Sequence, residues 1–388
     1  MPLPPLFNRL RPTTSNEPLT PVLLMLNRPS LLTLITTLLL ACHIQAQEMP
    51  DYEPIPTPPE EQLKIFKEMA EKSQFSVYET DDAGNITFVG FANRGGRNKG
   101  PNEKQIKHDD DRPGLTNEDF GKILYFPKLE AVATQFQRIT NKGYAVLTAF
   151  PGMVAINLSN LENGPWAEDK QEEMRDRISP ELFRYLDGMR NLRYWNTTHS
   201  FGFQDEEDVL QELQGFPELR YLNVDVGHAD DFDELYPFIQ KSPKLEFLKL
   251  HRTTLSEAQV KMILDALPNL KRLDIKPRGN KPGERWSYQS LALIKNYPNL
   301  ESLRLIHGAA LPLPWENGLE HLVEAKNLKY FEFPRNDKNA PDPEDLKRLQ
   351  EARPDLVILP LLDREGFRAA RDEMEIEATQ YNMGIGPG

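Results

Sequence analysis

Side chains able to hold a metal ion or act as a nucleophile gather at few places in this chain. His108 is followed by Asp109, Asp110 and Asp111, and His228 by Asp230, Asp231, Asp233 and Glu234. Imidazole and carboxylate donors this close in sequence could hold a divalent cation. Neither cluster has the ligand order of an EF-hand loop, and the first sits in a segment that reads as a hydrated loop, whereas functional ligands converge from rigid elements. Asp231 and Glu234 have the spacing of a helix capping box, which accounts for most of the second cluster. Gly95, Gly96 and Gly100 lack the spacing of a phosphate loop and any strand-turn-helix context. There is no G-x-S-x-G elbow, no H-E-x-x-H helix and no zinc-type pair of ligands. The chain reads as a non-catalytic protein with no cofactor.

The formal net charge is -13 at pH 7, which argues against nucleic-acid binding, since that relies on basic surface to displace counterions from phosphates. An apolar stretch, LLTLITTLLLA, runs from Leu31 to Ala41. It is too short to span a bilayer as a helix, which takes roughly 20 residues, and has the length of a signal-peptide core. Residues 1–46 are read as that signal, with Met25 as an alternative start. Two cleavage routes stay open, beside a retained anchor. Ile44-Gln45-Ala46 before Gln47 fits simple cleavage and leaves a mature chain without cysteine. Leu39-Leu40-Ala41-Cys42 resembles a lipobox and makes Cys42, the one cysteine in the chain, a lipid-attachment residue. Both routes imply an extracytoplasmic protein, secreted, periplasmic or attached to the cell envelope, that touches a membrane only through a lipid. Residues 47–59 form a Pro-rich linker. Residues 60–83 form an N-terminal capping helix and lead-in, with Leu63, Phe66 and Met69 at helical spacing.

The elements that must position any site come from a repeated phrase, Pro-x-Leu-x-x-Leu-x-Leu. It occurs as PELRYLNV, PKLEFLKL, PNLKRLDI and PNLESLRL between Pro217 and Leu305. Weaker copies extend it both ways, with first positions at Ile86, Leu129, Met153, Leu192, Leu219, Leu245, Leu270, Leu300, Leu328 and Leu356. Across these ten units only Thr134 and Thr197 put a polar residue in the apolar frame. Alternation inside the phrase predicts a strand with one buried face. The segments between predict helices: a Ser256–Gln259 capping box, a similar start at Thr116, and Asp342 as N-cap with Pro343 in the first turn. Proline two residues before the anchor then stops the helix and sets an extended lead into the next strand.

These phrases resemble leucine-rich-repeat proteins of the ribonuclease-inhibitor-like type, and ITNKGYAVLTAFPGMVAINLS (Ile139–Ser159) is similar to bacterial extracytoplasmic members. The resemblance implies an α/β solenoid of about ten repeats over residues 84–362, with a curved parallel sheet on the concave face and helices on the convex face. It also implies a protein partner. Insertions fall near 93–114 and 160–188. The second is read either as a lid over the concave face or as an expanded convex helix. Residues 363–388 are read as a C-terminal capping helix and tail. The chain departs from the family at the ninth repeat position, where asparagine is common. Only Asn336 fits, while Ser200, Gly227, Thr253, Arg278 and Gly308 fill the others.

Within this frame the third, fifth and seventh residues of each unit point off the concave sheet. The third column stacks Tyr194, Tyr221 and Phe247, then Arg272, Ser302 and Tyr330. The fifth runs Asn157, Asn196, Asn223, Lys249, Asp274, Arg304 and Glu332, and the seventh includes Ser159, Asp225, His251 and Lys276. Exposed aromatics beside adaptable polar groups are typical of binding hot spots. The candidate partner-binding set is Tyr194, Asn196, Tyr221, Asn223, Phe247, Lys249, Arg272, Arg304 and Tyr330. The alternative is that the rings pack on one another to shield the sheet, and that the mixed charges form a solvated face. A protein partner is expected, with a glycan on the same Tyr and Asn rows as the alternative. The chain is expected to be a monomer.

Overall fold

The structure is a computed structural model that describes residues 52–93, 105–107, 112–135, 137–159, 181–197, 213–225, 232–276, 288–305, 313–333 and 341–360. The segment read as a signal, with Met25 and Cys42, the first acidic cluster, His228, Asp230 and Asp231 of the second, most of the second insertion and the tail lie outside these residues.

Among the described residues twelve strands form one sheet, those of the repeat built by alternation of apolar and polar residues: β1 (Phe75–Thr80), β2 (Ile86–Ala92), β3 (Gln105–Lys107), β4 (Ala131–Gln135), β5 (Ala155–Ser159), β6 (Tyr194–Thr197), β7 (Tyr221–Asp225), β8 (Phe247–Thr254), β9 (Arg272–Lys276), β10 (Ser302–Leu305), β11 (Tyr330–Phe333) and β12 (Val357–Pro360). Their order is β12-β11-β10-β9-β8-β7-β6-β5-β4-β2-β1-β3. From β2 and β4 to β12 every neighbour is parallel and sequential. Pro360 closes an edge strand, where a missing N–H costs no ladder bond. The fold is a leucine-rich-repeat solenoid, as the phrase implied.

The end before β4 differs from the sequence reading. The lead-in contains β1, which forms an antiparallel hairpin with β2 around Gly84, whose φ of 85° suits the turn. The first insertion supplies β3, an edge strand antiparallel to β1. Three polar-apolar residues between glycines and charges give too little alternation to read as a strand. The capping helix α1 (Pro59–Ala70) buries Gln62, Ile65, Phe66, Met69 and Ala70, so its inward face is turned away from Leu63. Gln62 accounts for the turn. Its carboxamide accepts from the Ile86 amide at 2.8 Å and donates to the Thr57 carbonyl at 2.7 Å.

On the convex side, short α-helices α2 (Asn117–Gly121), α3 (Asn141–Tyr144), α4 (Glu181–Leu186), α5 (Phe232–Gln240), α6 (Glu257–Ala266) and α7 (Pro343–Ala352) alternate with tight 3-10 turns. Capping boxes close at Thr116–Asp119 and Ser256–Gln259, and Asp342 caps α7 at the Glu344 amide. Helix α4 lies in the second insertion and buries Leu182 and Phe183, so residues 181–186 belong to the convex layer. Leucines of the repeat frame and helix residues such as Val260, Ile263 and Leu264 fill one continuous core. Around Trp195 this core becomes aromatic, with Phe183, Phe216 and Phe238 packed against it at steep angles.

Units are held together by a repeated backbone device at the start of each strand. One carbonyl accepts two amides from the next unit: Val154 from Arg193 and Tyr194, Arg193 from Arg220 and Tyr221, Arg220 from Glu246 and Phe247, Glu246 from Lys271 and Arg272, Lys271 from Glu301 and Ser302, and Glu301 from Lys329 and Tyr330. Asparagine also contributes, on the turn before the strand; Asn336, at the ninth position, lies outside the described residues. Asn269 donates to the Pro243 carbonyl at 3.2 Å and Asn299 to Pro268 at 2.7 Å. At the ninth position of one unit, Thr253 lies within β8, next to a register irregularity.

Candidate functional site

Parallel pairing sets one residue of each unit beside its equivalent in the next, about 4.7–4.9 Å away. Register pairs join Ala155, Tyr194, Tyr221, Phe247, Arg272, Ser302 and Tyr330 into one file, and Asn157, Asn196, Asn223, Lys249, Asp274, Arg304 and Glu332 into a second. The third and fifth columns of the sequence frame are therefore physical rows. The seventh column holds at Asp225 beside His251 but breaks after it. Beyond the irregularity in β8, Lys276 pairs with Thr254.

The aromatic file stacks face to face. Tyr194 and Tyr221 lie 4.3 Å apart at 18°, and Tyr221 and Phe247 4.3 Å apart at 8°. The Arg272 guanidinium covers the outer face of Phe247, 4.8 Å from its centroid. The expectation of exposed rings is corrected here, because Tyr194, Tyr221 and Phe247 are only 3%, 9% and 6% exposed. They form a second apolar cluster with Phe88, Ala131, Ala133 and Ala155, separate from the main core. Flat rings in register at strand spacing cover each other's faces, which removes most of their apolar area from water.

The charged half of the face is not solvated either. Arg272 grips Asp274 with both Nε and a terminal nitrogen, at 2.8 and 3.2 Å. Arg304 lies 3.6 Å from Asp274 Oδ2, which also accepts from Arg272, and 3.1 Å from a Glu332 oxygen. All four side chains are buried. The chain Arg272–Asp274–Arg304–Glu332 thus alternates sign across β9, β10 and β11, which offsets much of the cost of burying Asp274 and part of that of Glu332. Burial pushes Asp274 up, but Arg272 and Arg304 outweigh it and hold the carboxyl below the ordinary range. Glu332 is pushed up to about 7, because burial and the repulsion of Asp274 outweigh the attraction of Arg304. Among the described residues its Oε1 has no hydrogen-bond partner.

Of the candidate set, seven residues are buried, and Lys249 and Tyr330 are half-buried. Asp274 and Glu332 were absent from that set, although their signal was present as opposite charges in one column on adjacent units. Asn157, at 1% exposure, has neither carboxamide atom paired among the described residues, and Asn223 Oδ1 is likewise unpaired. These groups offer donors and acceptors rather than a nucleophile or base. Beside the face, at the strand starts, Arg220, Lys244, Glu246, Asn269, Lys271, Asn299 and Glu301 line a cavity of about 310 Å³. Its charges are paired across units, with Lys271 2.6 Å from Glu246 and Lys329 2.9 Å from Glu301. No group of three or more possible metal ligands occurs among the described residues.

No protein-family model matches the sequence, and no curated protein matches it. Among solved structures, the chain is similar to the TLR13–ssRNA13 complex, with 13% identity and a TM-score of 0.33 over 61% of this chain. The chain spans 36% of that protein. It is also similar to the leucine-rich repeat-containing protein LegL7 from Legionella pneumophila, with 16% identity and a TM-score of 0.39, covering 70% of this chain and 86% of the other.

Proposed function

We propose that this chain is a non-catalytic, extracytoplasmic scaffold that recognises a protein partner through the concave sheet face. The observation that carries the reading is that Lys249 and Tyr330, the half-buried members of the candidate set, share that face with a rigid file of stacked rings and arginine, running through Tyr194, Tyr221, Phe247 and Arg272. Aromatic residues and arginine concentrate binding energy in protein interfaces, and a stack braced on neighbouring strands loses little freedom on binding. The same file speaks against a glycan. Both faces of Tyr221 and both faces of Phe247 are occupied, so a sugar has no open ring face there to stack on. The extracytoplasmic placement is supported by the apolar stretch Leu31–Ala41 and the cleavage patterns after it.

The test is a pull-down from envelope extract with residues 47–388 as bait, beside a Lys249→Gln, Tyr330→Ala double variant. Those two side chains are the half-buried members of the candidate set, so their replacement leaves the ring stack standing. Partner lost by the variant at unchanged melting temperature supports the concave site. Equal retention by both baits sinks it. Material that stays bound after protease treatment of the extract would favour a glycan instead.

A further inference from the structure

The concave ion chain ends abruptly. Each of its members sits beside an oppositely charged neighbour until Glu332, whose register partner on β12 is Leu359. The charged groups facing Glu332 are Arg304 on β10, Asp274 and Arg272 on β9, and Lys249 on β8. From β12 it meets an apolar side chain. One carboxylate oxygen lies 3.1 Å from Arg304 Nε, and the other is buried with no donor among the described residues. Arg304 is also shared with Asp274. A carboxylate in that position carries a charge that its surroundings only half compensate, whereas the neutral acid leaves at most an unpaired dipole, which costs far less to bury.

We infer that Glu332 makes the junction of β10, β11 and β12 a pH-sensitive seam, closed while its carboxyl is neutral and loosened when the carboxyl ionises. The sign follows from linkage. The folded chain holds this proton to a higher pH than the unfolded chain does, so stability is full below the unfolded carboxylate range and falls as pH rises towards about 7. In a solenoid each unit contacts only its neighbours, so the loss stays local to the units around Glu332 and does not spread through the array. Since Tyr330 and Glu332 lie on the concave face, the seam would alter that end of the face near neutral pH.

Hydrogen exchange on the full chain tests this, with protection compared about one pH unit below and above neutrality after correction for intrinsic rates. The expected result is a fall in protection of about tenfold at residues 330–333 and 357–359, corresponding to one pH unit of linkage. Residues 221–225 and 247–250 should not change, and Glu332→Gln should abolish the pH dependence. A uniform loss along the chain, or the same local loss in Glu332→Gln, overturns the inference. A second measurement stands if the variant does not fold: the carboxyl carbon of Glu332 in the wild-type chain, followed by NMR. A midpoint near neutrality supports the seam, and one in the ordinary carboxylate range overturns it.

Discussion

Arg353→Met should be among the most damaging single changes near the C-terminal end of the described solenoid. Arg353 is 2% exposed and lies just after α7. Its guanidinium donates to the carbonyls of Leu322 at 3.0 Å, Ala325 at 2.7 Å and Leu328 at 2.8 Å, all buried. Nε and a terminal nitrogen also grip Asp355 at 2.9 and 2.8 Å. One side chain thus ties α7 and β12 to the turn of the preceding unit. Methionine keeps most of the aliphatic volume, so little cavity forms. The Leu322 and Ala325 carbonyls keep the amides of Ala325 and Leu328 at 3.3 and 3.0 Å but lose their second donor, and the Leu328 carbonyl loses the guanidinium. A buried orphan costs about 1–3 kcal/mol and a lost second bond about 0.5–1.5 kcal/mol, and the relief of no longer burying a guanidinium offsets part of the sum. A net loss of roughly 2–4 kcal/mol is expected. Arg353→Lys should fall between, because an ammonium keeps the charge without the planar fork. Urea unfolding with an unchanged slope measures the loss, and hydrogen exchange at 319–328 and 343–356 locates it. A change below about 0.5 kcal/mol would refute the clamp.

The same pair makes an acid-side prediction. The bond from Arg353 holds Asp355 down at about 2, so its contribution is present above the unfolded carboxylate range and is lost as pH falls towards that value. In Arg353→Met the Asp355 carboxyl should titrate in the ordinary range by NMR, and an unmoved midpoint would contradict the pairing. Gly143→Ala should lose about 1–3 kcal/mol in thermal melts. A Cβ there would lie 2.5 Å from Asn117 Oδ1 and 2.6 Å from Ile139 Cγ2, where α2 and α3 pack. Tyr221→Ala removes the middle of the ring file and should cost more than about 2 kcal/mol in denaturant titration, against under about 1 kcal/mol for Glu246→Gln in the exposed ladder at the strand starts. Similar losses from the two would mean that the stack adds nothing to stability.

The sequence by itself determined the architecture, because a leucine-rich repeat is a local code. Alternation inside PNLKRLDI sets a strand and its buried face, Ser256 with Gln259 sets a helix start, and proline before the anchor sets the way into the strand. Repetition then fixes the register, so Tyr194, Tyr221 and Phe247 could be placed in one row before any coordinates. What such a code leaves open is how side chains in a row meet. Whether Arg272, Asp274, Arg304 and Glu332 face water or neutralise one another depends on distances across three strands. Whether stacked rings stay exposed depends on what surrounds them, and that environment comes from residues far apart in the chain. The strands β1 and β3 escaped the reading for a related reason: outside the repeat they have too little alternation, and their pairing partners supply the rest. Nothing in the sequence singles out Arg353 from other charges near helix ends. Only the tertiary structure brings the carbonyls of the preceding unit around it, because a buried cation is stable only where enough acceptors converge on it.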